Sequence, residues 1–372
     1  MDCTQALKDC LAAIASSTVI RDAKIVLKGM YRLGGPLTEF KDQWAQVHFP
    51  VIPYSENMKI KNIAIEGVHK PLWEQQGIIV VPVNYNGCGF YSSIYNQPAD
   101  RYNMVLNLSY GNDGSVFGKF NNINFHVDNL TIICRTHSTS PTTYVQNTMS
   151  ALNAGGNSNF TFGFLDVKTT TPIPYSLQPS AFSFGVQQPT YDNHASIIGT
   201  YLRASGFGVG LRATEHAQID CYIGVGNLVG VDCEFTYPIT ISTLCLEMNK
   251  TPVRMQNNSY LQVMVFQTER VLDTSKWYAS TNDFTQVSGN SRALVMRYIV
   301  HNEGGSVVKG NWDAGVRMRI LDDEVGQSFL PCPVYTTLPT NPVEGLEGYY
   351  NGDKVVYLGG SWKKYAALSN LS

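Results

Sequence analysis

Two glutamates, Glu247 and Glu269, have the spacing that would suit a pair of catalytic carboxylates. They are 22 residues apart, and the chain around them repeats with the same period. If each repeat adds one parallel strand to a stack, residues at this spacing lie about 5 Å apart. Two carboxyl groups at that distance suit retaining hydrolysis of a glycosidic bond. The alternative is a pair of acids at a solvated edge of the sheet.

A second group of charged residues follows the same spacing. Glu234 comes 22 residues after Arg212, and Arg254 comes 22 residues after Asp232. Stacking at this period places opposite charges next to each other, which stabilises a sheet by roughly 0.2–1 kcal/mol per pair. We expect mainly a structural role. The alternatives are acid catalysis by Asp232 and Glu234, or sugar binding by Arg212 and Arg254.

Aromatic residues near the C-terminal end are a third candidate group. Tyr357 and Trp362 lie in a segment rich in tyrosine and glycine. Their rings could stack on a sugar or pack at a three-fold axis between subunits.

No cofactor and no metal site is predicted. The seven histidines show no HxH or HExxH spacing, and the eight cysteines show no CxxC spacing. Glycine-rich residues 206–210 and 224–230 superficially resemble nucleotide-binding loops. Such loops need a following helix whose N-terminus holds the phosphates, whereas strand patterns follow both stretches here.

The elements that must position these residues come from the repeat over residues 195–268. When this segment is written in lines of 22 residues, apolar residues align in columns. The columns are Ala195, Ala217, Ile239, Leu261; Ile197, Ile219, Ile241, Val263; Val209, Val231, Val253; and Leu211, Cys233, Met255. Alternation within each line predicts strands, and a fixed period predicts a solenoid. The sequence therefore predicts an all-β chain with a parallel β-helix of about 22 residues per coil.

A short helix is predicted at the beginning of the chain, over residues 2–16. An apolar stripe at helical spacing supports it, and Asp2 or Thr4 could cap it. The stripe consists of Ala6, Leu7, Cys10, Leu11 and Ile14. Such a helix would cover the open end of a solenoid, which otherwise exposes core and unpaired backbone.

The rest of the chain divides into strands, polar insertions and a C-terminal module. Further strands are predicted at residues 77–83, 104–108, 123–134 and 160–167. The polar insertions 137–156 and 169–190 are either a binding surface or plain solvated loops. Four segments follow: 1–58, the capping helix and first strands; 59–270, the β-helix; 271–330, a β-rich continuation; and 331–372, a small β-meander.

The composition excludes several classes of partner. Charged residues make up 15% of the chain and the net charge is −2, which gives no basis for nucleic-acid binding by bulk electrostatics. No apolar run approaches the length of a membrane-spanning helix, which is about 20 residues, so membrane insertion is not predicted. Residues 1–17 lack the apolar region of a secretory signal.

The N-terminal segment, residues 2–67, carries a resemblance to a known family. An Asp-x-Thr-x-Ala-Leu helix precedes a strand ending in Gly-x-Tyr and then an Ile-x-Ile-x-Gly strand. The matching residues are Asp2, Thr4, Ala6, Leu7, Gly29, Tyr31, Ile63, Ile65 and Gly67. This order resembles the start of the pectate-lyase-like β-helices in bacteriophage tail spikes and related virion appendages.

The resemblance implies a right-handed β-helix in a virion protein, a tail spike or tail fibre that recognises host-surface polysaccharide. It also implies a homotrimer attached to other tail proteins and assembled in the host cytoplasm, and Val265 and Phe266 are candidates for the subunit seam. The main alternative is a polysaccharide depolymerase, a hydrolase or lyase on the same scaffold. A second alternative is a virion decoration protein without a ligand.

Overall fold

The computed structural model shows one helix and a large number of parallel strands. It describes residues 3–33, 45–48, 61–69, 87–92, 104–107, 121–134, 150–154, 157–169, 178–179, 181, 183–188, 196–214, 216–234, 237–280, 282–302, 317–323, 334–335, 338, 347–350 and 353–364. The predicted strand at residues 77–83 lies outside these ranges. The predicted strands at 104–108, 123–134 and 160–167 each contain strand residues.

The helix α1 (Thr4–Ser16) buries Leu7, Leu11 and Ile14, as the apolar stripe predicts. Ala6 and Cys10 are exposed, because the buried face is narrower than the predicted one. Of the two predicted capping residues, Asp2 lies outside the described residues, and the prediction for Thr4 is wrong. Cys3 holds the N-cap position without a side-chain capping hydrogen bond, and Thr4 is buried in the first turn.

The larger sheet holds thirteen parallel strands within the described residues. With strands numbered in chain order, these are β1 (Asp22–Leu27), β2 (Met30–Leu33), β4 (Lys61–Gly67), β5 (Gly89–Ser92), β7 (Asn121–Asp128), β8 (Leu130–Cys134), β10 (Asn157–Thr169), β12 (Ser196–Ser205), β14 (Ala217–Val225), β16 (Pro238–Glu247), β18 (Tyr260–Arg270), β20 (Arg292–Asn302) and β21 (Arg317–Asp323). The order is β1-β4-β7-β10-β12-β14-β16-β18-β20-β21, and β2-β5-β8 joins at β10.

A second parallel sheet of eight strands accompanies the first. Its strands are β3 (Ala45–His48), β6 (Met104–Asn107), β9 (Ser150–Asn153), β11 (Phe184–Gln187), β13 (Val209–Ala213), β15 (Val229–Glu234), β17 (Thr251–Gln256) and β19 (Phe284–Gln286). They lie in the order β19-β17-β15-β13-β11-β9-β6-β3. From β8 to β20, strands of the two sheets alternate along the chain, which is consistent with a parallel β-helix.

The long strands of the larger sheet bend in the middle. In β12, the neighbours Thr200 and Tyr201 are both less buried than Gly199 before them and Leu202 after them. The same shift in alternation recurs in β14, β16 and β18. Two successive outward residues break the two-residue period of a strand. Each long strand therefore has a first leg before the bend and a second leg after it, and the legs face different directions.

The register predicted from the repeat holds over β14, β16 and β18, where Ile219 pairs with Ile241 and Ile241 pairs with Val263. It fails earlier. Ile197 pairs with Ala217, so Ala195 does not lie over Ala217. Leu211 pairs with Val231 instead of Cys233, and Val209 pairs with Val229 instead of Val231.

A change in the length of one connection explains the failed register. The chain from Cys233 to Ile239 is two residues longer than the chain between their pairing partners, Ala213 and Ala217. The stack also continues where the sequence period fades, because Glu269 pairs with His301. This repeat is longer than the others because residues 271–283 connect β18 of the larger sheet to β19 of the second sheet.

A column of large side chains fills the interior between the sheets. Leu202, Tyr222, Leu244, Phe266 and Tyr298 lie in register on neighbouring strands, and all are buried. The rings of Phe266 and Tyr298 are 5.6 Å apart. The prediction that Phe266 forms part of a subunit seam is therefore wrong, because its side chain points into the core.

Buried asparagines close the turn between the two sheets. Asn227 Nδ2 donates to Ala204 O at 3.1 Å and to Asn249 Oδ1 at 3.0 Å. Asn249 Nδ2 donates to Gly224 O at 2.8 Å. Each such bond contributes about 1 kcal/mol net, and leaving its buried partner unsatisfied costs more.

The C-terminal strands form a separate four-stranded sheet. They are β22 (Val334–Tyr335), β23 (Glu347–Tyr350), β24 (Asp353–Leu358) and β25 (Ser361–Lys364), and β23, β24 and β25 pair antiparallel as a meander.

Among the residues with assigned positions, no helix has the length and apolar character needed to cross a membrane.

Candidate functional site

A groove of about 460 Å³ runs along the outer surface of β1, β4 and β7 and reaches Thr161 of β10. Parallel pairing places equivalent outward residues of these strands side by side, at about 4.8 Å per strand. Two such rows line the groove, and most of their residues have a polar side chain, while much of the accessible lining surface is apolar.

The first row is a continuous ladder of side-chain hydrogen bonds. Asn62 Nδ2 donates to Asp22 Oδ1 at 2.7 Å, and Asn124 Nδ2 donates to Asn62 Oδ1 at 3.0 Å. Asn159 Nδ2 donates to Asn124 Oδ1 at 3.0 Å, and Ser196 Oγ donates to Asn159 Oδ1 at 2.7 Å. Every bond points the same way along the ladder. The amide planes are therefore held in one orientation.

The second row contains Lys24, Ala64, His126 and Thr161 in register. Thr161 Oγ1 donates to Phe125 O at 3.4 Å and lies 2.9 Å from His126 Nδ1. The tautomer of His126 decides which of the two groups donates in that contact, and either arrangement fixes the orientation of the imidazole ring. The small side chain of Ala64 leaves a recess between Lys24 and His126.

The carboxylates around the groove are engaged by other groups. Glu66 forms an ion pair with Lys24. Asp128 Oδ1 accepts hydrogen bonds from the backbone N–H of Phe164 at 2.7 Å and of Asn129 at 2.8 Å. A carboxylate held this way braces the backbone of the next strand. The groove therefore has the chemistry of a binding surface more than that of an acid and base pair.

Sequence reasoning missed this groove because its strands are not evenly spaced along the chain. The interval between Asn62 and Asn124 is nearly twice that between Asn124 and Asn159. A signal was nevertheless present. The tetrapeptides Asn-Ile-Ala-Ile, Asn-Phe-His-Val and Asn-Phe-Thr-Phe begin at these three residues and share one pattern.

The predicted acid pair lies elsewhere, on the second legs of β16 and β18. Glu247 pairs in register with Glu269, as the 22-residue spacing predicts, and both are half-buried. Cys245 Sγ donates to Glu247 Oε1 at 3.6 Å. Burial raises the pKa of the Cys245 thiol to about 12, so the thiol stays protonated as a donor.

His301 adjoins this acid pair, and the sequence did not point to it. It is exposed and pairs with Glu269 across β18 and β20. The interval is ten residues longer than the period that located Glu247 and Glu269, because residues 271–283 connect β18 to β19, whereas the shorter stretch 248–250 connects β16 to β17. The row Glu247, Glu269, His301 thus brings two carboxylates and an imidazole to one edge.

The predicted charge group forms a compact ion cluster on the second sheet. Arg254 donates to both oxygens of Asp232, with Nε–Oδ1 2.8 Å and Nη2–Oδ2 2.7 Å, and Asp232 is fully buried. This hydrogen bond raises the pKa of Arg254. Arg212 contacts Glu234 through Nη2, although its pairing partner in register is Asp232.

The geometry of this cluster favours the structural alternative. Gln256 Nε2 also donates to Asp232 Oδ1, at 2.9 Å, so both carboxylate oxygens of Asp232 accept hydrogen bonds from within the sheet. Catalysis by Asp232 and Glu234 or sugar binding by Arg212 and Arg254 would have to break these pairs, which leaves a buried charge uncompensated.

Tyr357 and Trp362 are paired across the β24–β25 hairpin. Their ring centroids are 5.6 Å apart in an edge-on arrangement, and both are partly exposed. The contact leaves ring surface accessible, so sugar stacking by this pair stays a prediction.

The two predicted polar insertions are shorter than the sequence indicated. Residues 137–156 include β9, and residues 169–190 include β11. Most of the remaining residues of both insertions lie outside the described ranges. Across the described ranges, no group of three or more His, Cys, Asp or Glu side chains is placed to hold a metal ion.

Comparisons with known proteins add no relative from which a function could be carried over. No protein-family model matches the chain, and no curated protein and no solved structure matches it.

Proposed function

We propose that this chain is a polysaccharide-binding protein built on a right-handed parallel β-helix, a virion appendage of the tail spike or tail fibre type. The observation that carries the binding function is the groove on β1, β4, β7 and β10, with its row of oriented amides. Its proposed ligand is a host cell-surface glycan.

Several features of the groove support a glycan as ligand. Amide, hydroxyl and imidazole groups offer donors and acceptors that pair with sugar hydroxyls. The spacing of about 4.8 Å between strands repeats these groups at intervals close to the length of a pyranose ring. Lys24 is neutralised by Glu66, so the surface lacks the excess of cations that nucleic acid requires.

The virion setting has a different basis. Two long parallel sheets with bent strands are the arrangement that a β-helix needs, and the N-terminal segment resembles the start of tail spike β-helices. The same resemblance supports a homotrimer attached to other tail proteins. Light scattering of the purified chain tests the trimer, and a monomeric mass at micromolar concentration would contradict it.

Binding of purified host polysaccharide to the immobilised chain tests the proposed function. Asn124→Ala and His126→Ala each remove groups that face the groove, and each should weaken binding about fivefold, since one hydrogen bond contributes about 1 kcal/mol. Gln218→Ala is the matched control, because Gln218 is exposed in the same row as Thr161, two strands further along.

The outcome separates binding at the groove from binding elsewhere. Retained binding in the control together with loss in both groove variants supports the proposal. If neither groove variant weakens binding, the groove is not the site. If the wild-type chain binds no polysaccharide, the glycan-binding function fails and a decoration protein without a ligand becomes the leading account.

The row Glu247, Glu269, His301 favours a second candidate function, a polysaccharide depolymerase. Two neighbouring carboxylates suit a retaining glycosidase if they face one sugar. Release of reducing ends from the same polysaccharide is the measurement. Loss of release in both Glu247→Gln and Glu269→Gln, with release retained in Asp220→Asn at an exposed position of β14, would establish the enzyme. Absence of release in the wild type would exclude it.

A further inference from the structure

We infer that the groove selects uncharged glycans that carry acetamido groups. This inference rests on the proposed function, because it names the class of sugar that the same groove takes. Three observations carry it: the charges around the groove, the unused hydrogen-bond donors and acceptors of the amide ladder, and the small side chain of Ala64.

The charges around the groove disfavour an acidic polysaccharide. Asp22 ends the amide ladder, and Glu66 and Asp128 lie in register on neighbouring strands. The charged residues that line the groove are Asp22 and Lys24, and Glu66 neutralises Lys24. A sugar carboxylate bound over the ladder would therefore meet the negative charge of Asp22, and like charges at such distances repel.

The amide ladder has unused hydrogen-bonding capacity of the kind that an acetamido group uses. A primary amide has two N–H donors and two acceptor lone pairs. Asn62 and Asn124 each spend one N–H and one lone pair within the ladder. One donor and one acceptor per residue therefore stay available at an exposed edge. An acetamido group carries one N–H and one carbonyl, which complement that set.

The position of Ala64 is the proposed place for the acetamido methyl. Ala64 carries the smallest side chain of the second row and lies in register between Lys24 and His126, and all three line the groove. The recess adjoins the ladder, since Asn62 is two residues before Ala64 on the same face of β4. A methyl group placed there would leave water, which favours binding.

Two oligosaccharides of equal length test the acetamido selectivity. Chito-oligosaccharide and cello-oligosaccharide share the same linkage and differ at C2, where one has an acetamido group and the other a hydroxyl. Calorimetric titration of the full chain should give a dissociation constant about tenfold lower for the chito-oligosaccharide. Oligogalacturonate should bind more weakly than either, because it is acidic.

Two variants locate the selectivity. Ala64→Leu fills the recess and should remove the preference for the chito-oligosaccharide, whereas Thr240→Leu, which also introduces leucine but on the first leg of β16, should keep it. The double substitution Asp22→Asn and Glu66→Gln should strengthen oligogalacturonate binding. Thermal unfolding of each variant shows that it is folded.

Each outcome decides a separate point. Equal affinity for the two neutral oligosaccharides would overturn the acetamido selectivity and leave glycan binding in place. Tighter binding of oligogalacturonate than of the neutral sugars would overturn the charge selectivity. Failure to bind these sugars and the host polysaccharide alike would remove the proposed function itself. A preference that persists in Ala64→Leu would place the selectivity outside the recess.

Discussion

Lys61 Nζ donates a hydrogen bond of 2.6 Å to the backbone carbonyl of Ile14, the last buried residue of α1. The same ammonium donates to Ser17 O at 2.6 Å and to Ile20 O at 3.2 Å. The final carbonyls of a helix have no partner within it. Lys61, at the start of β4, therefore fastens the helix to the stack, and burial lowers the pKa of its ammonium.

Replacing this ammonium should loosen the helix. Lys61→Met keeps the length of the side chain and leaves three carbonyl groups without their donor, so we expect a loss of about 2–4 kcal/mol in the free energy of unfolding. Urea unfolding is the measurement. Lys28→Met is the control, because Lys28 is exposed, and its effect should stay below about 0.5 kcal/mol. Equal effects of the two substitutions would contradict the role of Lys61.

A second prediction concerns the ion cluster of the second sheet. Asp232→Ala leaves Arg254 and Gln256 without their shared acceptor and should destabilise the fold by about 3 kcal/mol, because removing one partner of a buried pair is costly. Asp220→Ala, at an exposed position of β14, should cost below about 0.5 kcal/mol. A similarly small effect of Asp232→Ala would show that the cluster does not stabilise the sheet.

The sequence identifies the stack where the repeat length is constant. The pairs Glu247 with Glu269 and Asp232 with Arg254 follow directly from the 22-residue period. The period is visible there because inward apolar residues and the connections between strands recur together. Where a connection changes length, as between Ala213 and Ala217, apolar columns alone misplace the register by two residues.

The candidate groove depends on side-chain contacts that a period cannot reveal. Asn62, Asn124 and Asn159 are separated by unequal stretches of chain, and nothing in their spacing links them. His301 is a similar case, since the longer repeat before β20 hides its place beside Glu269. In both cases the strand pairing decides which residues meet.

A third prediction concerns the close approach of Gly163 to Asp128. A Cβ atom at Gly163 would lie 2.1 Å from Asp128 Oδ1, the atom that accepts the hydrogen bond from Phe164 N. Gly163→Ala must therefore displace this carboxylate, and we expect a loss of about 1–3 kcal/mol. Gly29→Ala is the control, since a Cβ there meets no atom within 4 Å. Equal unfolding midpoints for the two variants would contradict the contact.

The fourth prediction concerns the pH dependence of stability, which Asp283 should influence from inside the stack. Its Oδ1 lies 3.4 Å from Arg270 Nε and accepts a hydrogen bond from Thr268 Oγ1 at 3.2 Å, while Oδ2 accepts one from the hydroxyl of Tyr298. Burial raises the pKa of this carboxyl, and these three neighbours oppose the rise without cancelling it. The folded state therefore binds the Asp283 proton more tightly than the unfolded state does.

The sign of the effect follows from that difference. Stability contributed by the protonated carboxyl is fully present below the unfolded pKa and is lost as the pH rises through the higher folded pKa. Asp283→Asn removes this titration, so the variant should gain stability relative to the wild type as the pH rises above about 4. Urea midpoints measured from about pH 3 to about pH 8 test this. Asp273→Asn is a control of opposite sign, because a hydrogen bond from the backbone N–H of Ser275 lowers the pKa of the exposed Asp273. A difference between Asp283→Asn and the wild type that does not change with pH would contradict the raised pKa.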